Sequence, residues 1–426
     1  VIELELNQPF PDLQELDLAL YAQLQILVRQ GGQPIGYTLV EPRSKRFLEE
    51  SYLRFEIERQ LFDSLNRAAF ERTLSQGQPV IESEVSSETW PTLTIVVYTM
   101  GLVENLKRTL QSLMRLDYPR HKLDLCVLEN TPAHPVTEQV AAAFSQIRYI
   151  AEPMSGLTRA RNRLIAEANG HIIVYTDENV IVDPLWAQAI IRHFVNPAVM
   201  CVAGLVAPAE RETKAQDFFE KYDGFKRDFE LRYYTPGPQP GHPFWPVDTP
   251  GLGLGCNIAY RKHFLEETGG FDEALDIGSV LHSTADDDMV FRAIRGGQIV
   301  VYEPQALMWR YHAHEYADLR QQVLDLGRGV SAYLTKTFLN EPNMRRRVLA
   351  FAVDNYKRRY LKRLRRKGLL PRRLILAEAM AALRGPAAYF VARRQARRSN
   401  RVVQRSGAEI GIMTNSPSDQ RSSIKV

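Results

Sequence analysis

The chain has 426 residues, 45% of them hydrophobic and 24% charged, the balance of an ordinary soluble globular protein with room for two or three domains. That excludes a fibrous or wholly disordered chain, and no uninterrupted apolar run reaches the roughly 18 residues of a membrane-spanning helix, so a span is not expected. The net charge of +4 hides an asymmetry: from Arg345 to Arg405 there are 20 Lys or Arg against two acids, Asp354 and Glu378, a net of +18 that leaves −14 for the rest.

The N-terminus, VIELELNQPF, has no basic segment followed by an apolar one, so no secretory signal is expected, and without an initiator Met there is room for sequence upstream. Cys126, Cys201 and Cys256 have no metal-type spacing and are odd in number, which points to buried free thiols in a reducing cytoplasm.

Residues 1–90 read as a small α+β module and linker. LQILVRQGGQPIGYTLV (24–40) places two apolar runs around a Gly-Gly turn, the pattern of a hairpin. Residues 46–74 follow with apolar positions at helical spacing, and 82–92 read as the linker. From Leu93 the character changes. LTIVVYT (93–99) is a β-branched run suited to a buried parallel strand, and residues 105–116 put Leu106, Leu110 and Leu113 on one helical face. Further strands are predicted at 123–130, 148–152 and 171–179. A helix over 156–170 precedes the last of these, and a helix from Asp183-Pro184 to Val195 follows it. This alternation predicts a doubly wound α/β sheet, which places ligands at the carboxyl ends of its strands.

Residues 220–255 are rich in Gly, Pro and aromatics and read as long functional loops with a hairpin. Short helices are predicted over 259–270 and 286–297, and a terminal strand over 298–304. The resulting division is an α/β domain over 91–315, a basic helical extension over 316–405, and a disordered tail over 406–426.

Three clusters can carry chemistry. Asp177-Glu178-Asn179 ends a predicted strand, where acids can hold a divalent cation beside a diphosphate; a plain strand-end turn is the competing reading. Asp286-Asp287-Asp288 offers a carboxylate as general base, against a merely solvated helix start. Trp309-Arg310-Tyr311-His312-Ala313-His314 offers a His as a further ligand, against two exposed loop histidines. GLGLGCN (251–257) follows a Pro-rich loop rather than a first strand, so it is not a dinucleotide fingerprint, and close packing of backbone against a substrate fits it better.

In their order along the chain these segments resemble glycosyltransferase family 2, inverting enzymes of the GT-A fold, over about residues 91–315. TIVVYTMGLVENLKRTLQSL resembles the opening strand and helix, CVLENTP the second strand, GLTRARN a helix start, YTDEN the metal motif, GGFDEAL the turn near the donor sugar, and ADDDMVFR the segment with the base. The leading module and FFEKYDGFKRDF (218–229) resemble a bacterial subgroup. The resemblance implies Asp286 as base, with Asp287 its neighbour and substitute. It implies Thr99, Glu129, Arg161, Asn162, Asp177, Asp272 and Arg310 as donor-binding residues, and Asp177, Asn179 and His312 as ligands of Mn2+ or Mg2+. The partners it implies are a nucleotide-sugar donor and a glycan or lipid-linked acceptor, in polysaccharide or glycoconjugate synthesis.

Three positions depart from the family pattern. Asn179 stands for an acid, Ala285 for a Glu, and Arg310 for a His. They favour weaker metal dependence, with Arg310 beside the diphosphate, and they leave a catalytically impaired nucleotide-sugar- or carbohydrate-binding protein as the second reading. A nucleotidyltransferase would need a Gly-rich basic loop after the first strand, where this chain has TMGLVEN. The tail over 345–405 is basic and amphipathic, the composition of a segment held on the anionic inner face of the cell membrane; no nucleic-acid recognition module accompanies it.

Overall fold

The computed structural model describes residues 1–10, 21–42, 48–77, 87–129, 135–152, 156–222, 228–249, 255–276, 284–365 and 371–414. The leading module is a three-stranded sheet, β1 (Ile2–Glu5), β2 (Leu24–Gln30) and β3 (Gln33–Val40), under a long helix α1 (Glu50–Gly77). β2 and β3 form the expected hairpin. Gly31 and Gly32 turn it with φ of 62° and 79°, a region costly for any residue with a Cβ. β1 pairs parallel to β2, a strand too short to read from four residues. Leu53, Ile57 and Leu61, spaced by one helical turn, pack on Leu4, Ile26 and Val28. The opposite face of β2 presents Leu27 to Leu205, Ala207 and Leu307 of the large sheet, and Arg29 reaches Asp183 at 2.7 Å.

The large sheet is built from β4 (Leu93–Thr99), α2 (Val103–Leu113), β5 (Leu123–Glu129), α3 (Pro135–Ala142), β6 (Ile147–Ala151), α4 (Leu157–Glu167), β7 (Ile172–Asp177), β8 (Val180–Val182) and α5 (Trp186–Ile191). Then come β9 (Val199–Pro208), α6 (Lys214–Tyr222), β10 (Arg232–Tyr234), β11 (Ile258–Arg261), α7 (Lys262–Glu267), α8 (Thr284–Arg295) and β12 (Ile299–Arg310). Its order is β10-β12-β9-β11-β7-β4-β5-β6, with β8 on β12. The four strands β6, β5, β4 and β7 run parallel, whereas β11 is antiparallel to both its neighbours, so this is the mixed α/β sheet expected. Alternate residues of β4 feed two cores: Ile95 and Val97 pack with Leu106, Leu110 and Leu113 of α2, and Val96 packs with Leu164 of α4. Each such buried aliphatic side chain is worth about 1.5–3 kcal/mol relative to exposure.

The chain winds from β4 outward to β5 and β6, then returns to β7 on the other side of β4. That reversal leaves a crevice beyond the carboxyl ends of β4 and β7, the place where open α/β sheets take ligands. Thr99, Glu129 and Asp177 end the three strands around it.

Several segments differ from their sequence reading. β9, buried along its whole length, offered no alternation to mark it. Ile258–Arg261 is a strand where a helix is predicted, because it inserts between β7 and β9. β12 has 12 residues rather than the seven predicted; a bulge between Glu303 and Leu307 carries it past Pro304.

Beyond β12 come α9 (Tyr316–Asn340), α10 (Arg345–Tyr356), a π-helical turn at Lys357–Leu361, α11 (Lys362–Arg365) and α12 (Arg372–Thr414). α12 runs into the tail expected to be disordered, while residues 415–426 lie outside the described part, as do 82–86 of the linker, 223–227 and 251–254. Within α12, Arg372–Arg398 is long and apolar enough to cross a membrane by length and composition, although less than half of its most apolar window is buried. Counting uninterrupted apolar runs missed it, because its few charges break the run without much lowering the average.

Candidate active site

Two buried arginine–aspartate pairs stand out, one at the carboxyl edge of the sheet and one between helices that pack on it. In the first, Arg310 at the end of β12 donates from Nε (3.2 Å) and Nη2 (2.9 Å) to Oδ2 of Asp177 at the end of β7. The pairing of β8 with β12 sets Arg310 opposite Val180, just past the Asp177 turn. The other oxygen, Oδ1, accepts the Asn179 amide at 2.9 Å, and Oδ1 of Asn179 in turn accepts from Asn105 Nδ2 at 2.7 Å.

Glu178, the middle residue of the first cluster, is bonded elsewhere. Its carboxylate accepts from the Thr99 hydroxyl (2.5 Å) and from the backbone amides of Met100 and Leu102 (both 2.9 Å), so it braces the loop between β4 and α2. Burial pushes its carboxyl above the usual range, against these bonds. Thr99 therefore serves this brace and also accepts from the Gly101 amide at 3.0 Å. Glu129, fully buried, accepts from Thr137 at 3.2 Å and from the Tyr149 hydroxyl.

The second pair joins α4 to α8. Arg161 Nη1 donates to Asp286 Oδ2 at 2.8 Å and its Nη2 to the Gly255 carbonyl at 2.9 Å. The Tyr260 hydroxyl donates to Asp286 Oδ1 at 2.8 Å. Arg161 lies over the rings of Tyr175 and Phe271, 4.7 and 5.4 Å from their centroids. Burial disfavours the Arg161 charge, but the Asp286 carboxylate beside it outweighs burial and raises the Arg161 pKa. Asp288 takes Lys336 of α9 at 2.5 Å and Arg292 at 2.7 Å. Asp287 is almost as deeply buried as its neighbours, and its backbone carbonyl accepts from Thr249 at 3.4 Å.

Asn162 is a clamp. Its side chain accepts from the Phe271 amide at 2.7 Å and donates to the Phe271 carbonyl at 2.9 Å. A Cβ on Gly270 would meet its Oδ1 at 2.5 Å, and φ there is +74°, so only glycine fits. The clamped turn delivers Asp272, which accepts the Ala274 amide at 3.0 Å and lies 3.4 Å from Lys336 Nζ. Lys336 thus ties the turn to α8; nothing in its helical surroundings marked it in the sequence.

Cys256 is fully buried. Its thiol is pushed up to about 12 by burial first, with Asp177 and Asp286 adding to the shift and Arg310 opposing it. Asn257, next in the chain, fixes the floor: Nδ2 donates to the carbonyls of Leu205 (3.0 Å) and Ala306 (2.9 Å), and Oδ1 accepts from Trp186 Nε1 at 2.9 Å. Of GLGLGCN, residues 251–254 lie outside the described part, and its last residue, Asn257, clamps backbone. The three cysteines are buried and free.

A divalent cation does not fit the expected ligand set. Asp177 is engaged by Arg310, Asn179 is neutral and bonded to Asn105, and His312 pairs with Glu220 at 3.1 Å and packs against the tilted Phe219 ring, centroids 4.4 Å apart. Among the described residues no group of three His, Cys, Asp or Glu could hold a metal ion.

The family model for glycosyl transferase family 21 matches residues 65–305. The chain is 24% identical over 291 residues to the pre-mycofactocin glycosyltransferase of Mycobacterium tuberculosis in two strains, an alignment of 68% of this chain and 56% of that protein's length. Among solved structures, the mannosyltransferase PcManGT from Pyrobaculum calidifontis in complex with GDP-Man and Mn2+ is similar at a TM-score of 0.47 and 15% identity, over 70% of this chain and 88% of that one. S. aureus TarS 1-349 in complex with UDP is similar at a TM-score of 0.43 and 12% identity, over 72% and 92%. The motifs led to glycosyltransferases through family 2, and the model that matches carries a different number. Matched over more than half of its length, the chain belongs to glycosyl transferase family 21.

Proposed function

We propose that the chain transfers a sugar from a nucleotide-diphosphate sugar to an acceptor hydroxyl with inversion at the anomeric carbon. The observation that carries this reading is two buried arginine–aspartate pairs, Asp177–Arg310 at the ends of β7 and β12 and Asp286–Arg161 between α8 and α4. One pair lies where a diphosphate is received in an open α/β sheet, the other on the helix where the family 2 resemblance puts the base. Asp286 takes the acceptor proton as the hydroxyl attacks. Arg161 and Tyr260 each bond one of its oxygens, which holds it aimed while each oxygen keeps a lone pair. A single displacement needs this one base rather than two cooperating carboxylates. Glu178 and Glu129 shape the nucleotide end without donating to it, and Asn162 and Lys336 fix Asp272 at the sugar end.

The acceptor side faces α9 and α12. Leu349 and Val353 of α10 and Met380, Leu383 and Val391 of α12 stand exposed among Arg and Lys, a surface for the anionic cytoplasmic face of a membrane, where a lipid-linked acceptor is presented. The test is incubation of the purified chain with a panel of nucleotide sugars and with glycan or lipid extracts. Acceptor-dependent release of nucleoside diphosphate is expected, and binding of a sugar nucleotide with no turnover would favour the impaired binding protein instead.

A further inference from the structure

The turn Asp177-Glu178-Asn179 is where a nucleotide-sugar enzyme would hold a divalent cation against the diphosphate, and each of its polar side chains is otherwise engaged. Glu178 is committed to the loop amides of Met100 and Leu102. Asn179 offers a neutral oxygen that already accepts from Asn105. The single charge on Asp177 is balanced by Arg310, buried to 4% exposure beside it. A hard dication needs several anionic oxygens to replace its water, and here it would meet one spoken-for carboxylate and a guanidinium of its own sign.

The guanidinium, by contrast, has capacity to spare. Of its five N–H donors, Nε and one on Nη2 go to Asp177, and Nη1 makes only a 3.5 Å contact to the Tyr311 carbonyl. A second arginine flanks the same turn. Arg108 of α2 lies 4.4 Å from the centroid of the Tyr311 ring and donates to Asn105 at 2.6 Å, so it joins the asparagine pair to the rim. Two permanent cations therefore border the crevice at the end of β7, one buried and one at its edge, with planar donor arrays that match phosphate oxygens.

Resting on the nucleotide-sugar reading, we propose that Arg310, supported by Arg108, supplies the positive charge that meets the donor diphosphate in place of a divalent cation. Asp177 then acts as the counter-ion that orients Arg310 rather than as a metal ligand.

Calorimetric titration of UDP and GDP into the full chain, in EDTA and in Mn2+, tests this. A nucleoside diphosphate is expected to bind in EDTA within about threefold of its affinity in Mn2+. Arg310→Gln should weaken that binding at least about tenfold, the worth of a charge-assisted contact. Arg310→Lys, which keeps a charge and should keep the fold, should fall between the two. Asp177→Asn, whose amide oxygen can still accept from Arg310 and orient it, should retain binding in EDTA. Binding that appears only with Mn2+ and vanishes in Asp177→Asn would overturn the proposal while leaving the nucleotide-sugar reading intact. Binding in neither condition would overturn both.

Discussion

Arg161 and Asp286 stand 125 residues apart in the sequence and 2.8 Å apart in the fold, closed in by Tyr175, Tyr260 and Phe271. Their pairing fixes α4 against α8 and so sets where the Asp286 carboxylate lies. Asp286→Asn can still accept from Tyr260 but leaves the buried Arg161 charge unbalanced, so it should cost about 3–5 kcal/mol of stability, and its folded fraction should transfer slower by about two to four orders of magnitude, the usual worth of a general base. Asp287→Asn, one residue on, should cost far less. Steady-state rates with donor binding measured alongside decide it, and the reverse ranking would move the base to Asp287.

Arg161→Ala leaves the Asp286 charge buried without its partner. Breaking such a pair from one side costs about 3–5 kcal/mol, so the variant should melt well below the parent in thermal unfolding. A melting point unchanged from the parent would mean that the pair does not hold the two helices together.

Asn257 satisfies two buried carbonyls and the Trp186 indole at the bulge of β12. Asn257→Leu strands all three, each worth about 1–3 kcal/mol, and should leave little folded protein. Asn257→Asp keeps the indole bond but sets a carboxylate against two carbonyls, so it should also destabilise. Soluble yield and denaturant midpoints report both.

His312 is held by Glu220 and Phe219 in a site that burial keeps neutral, with its pKa below the usual 6.5. The unfolded chain then binds a proton there that the folded chain does not. Stability from this group is present above about pH 6.5 and is lost as pH falls toward the lowered folded value. His312→Phe should flatten the fall in melting temperature between about pH 7 and pH 5. An unchanged pH profile would show that His312 does not titrate on unfolding.

The apolar and basic side chains along α10 and α12 predict co-sedimentation with vesicles containing anionic lipid at low salt, reduced as salt rises. Leu383→Glu with Val391→Glu, both more than half exposed, should weaken binding without unfolding the chain. Retention of the parent chain in the supernatant at low salt would remove the membrane from the account.

The parallel strands and the α2 face were legible because their patterns are local: LTIVVYT has no other economical use, and Leu106, Leu110 and Leu113 fall on one side of a helix. The strands around β11 were not, since Ile258–Arg261 is a strand only because β7 and β9 lie on either side of it. Three strand ends, Thr99, Glu129 and Asp177, were also legible, from the apolar runs that precede them. What they do there was not. Asn162, Glu178 and Asn257 spend their hydrogen bonds on backbone that comes from elsewhere in the chain, and Lys336 meets Asp288 only when α9 folds back over α8. Such partners are a property of the packing, and one sequence does not display them.

Inverting transfer is tested most directly by the first-formed anomer. Proton NMR can follow the anomeric signal as the chain consumes a nucleotide α-sugar, with water or an extract as acceptor, before mutarotation blurs it. The β-linked product should appear first, and Asp286→Asn should nearly abolish it. An α-linked first product, or a β product formed equally fast without the Asp286 carboxylate, would contradict the single-base displacement.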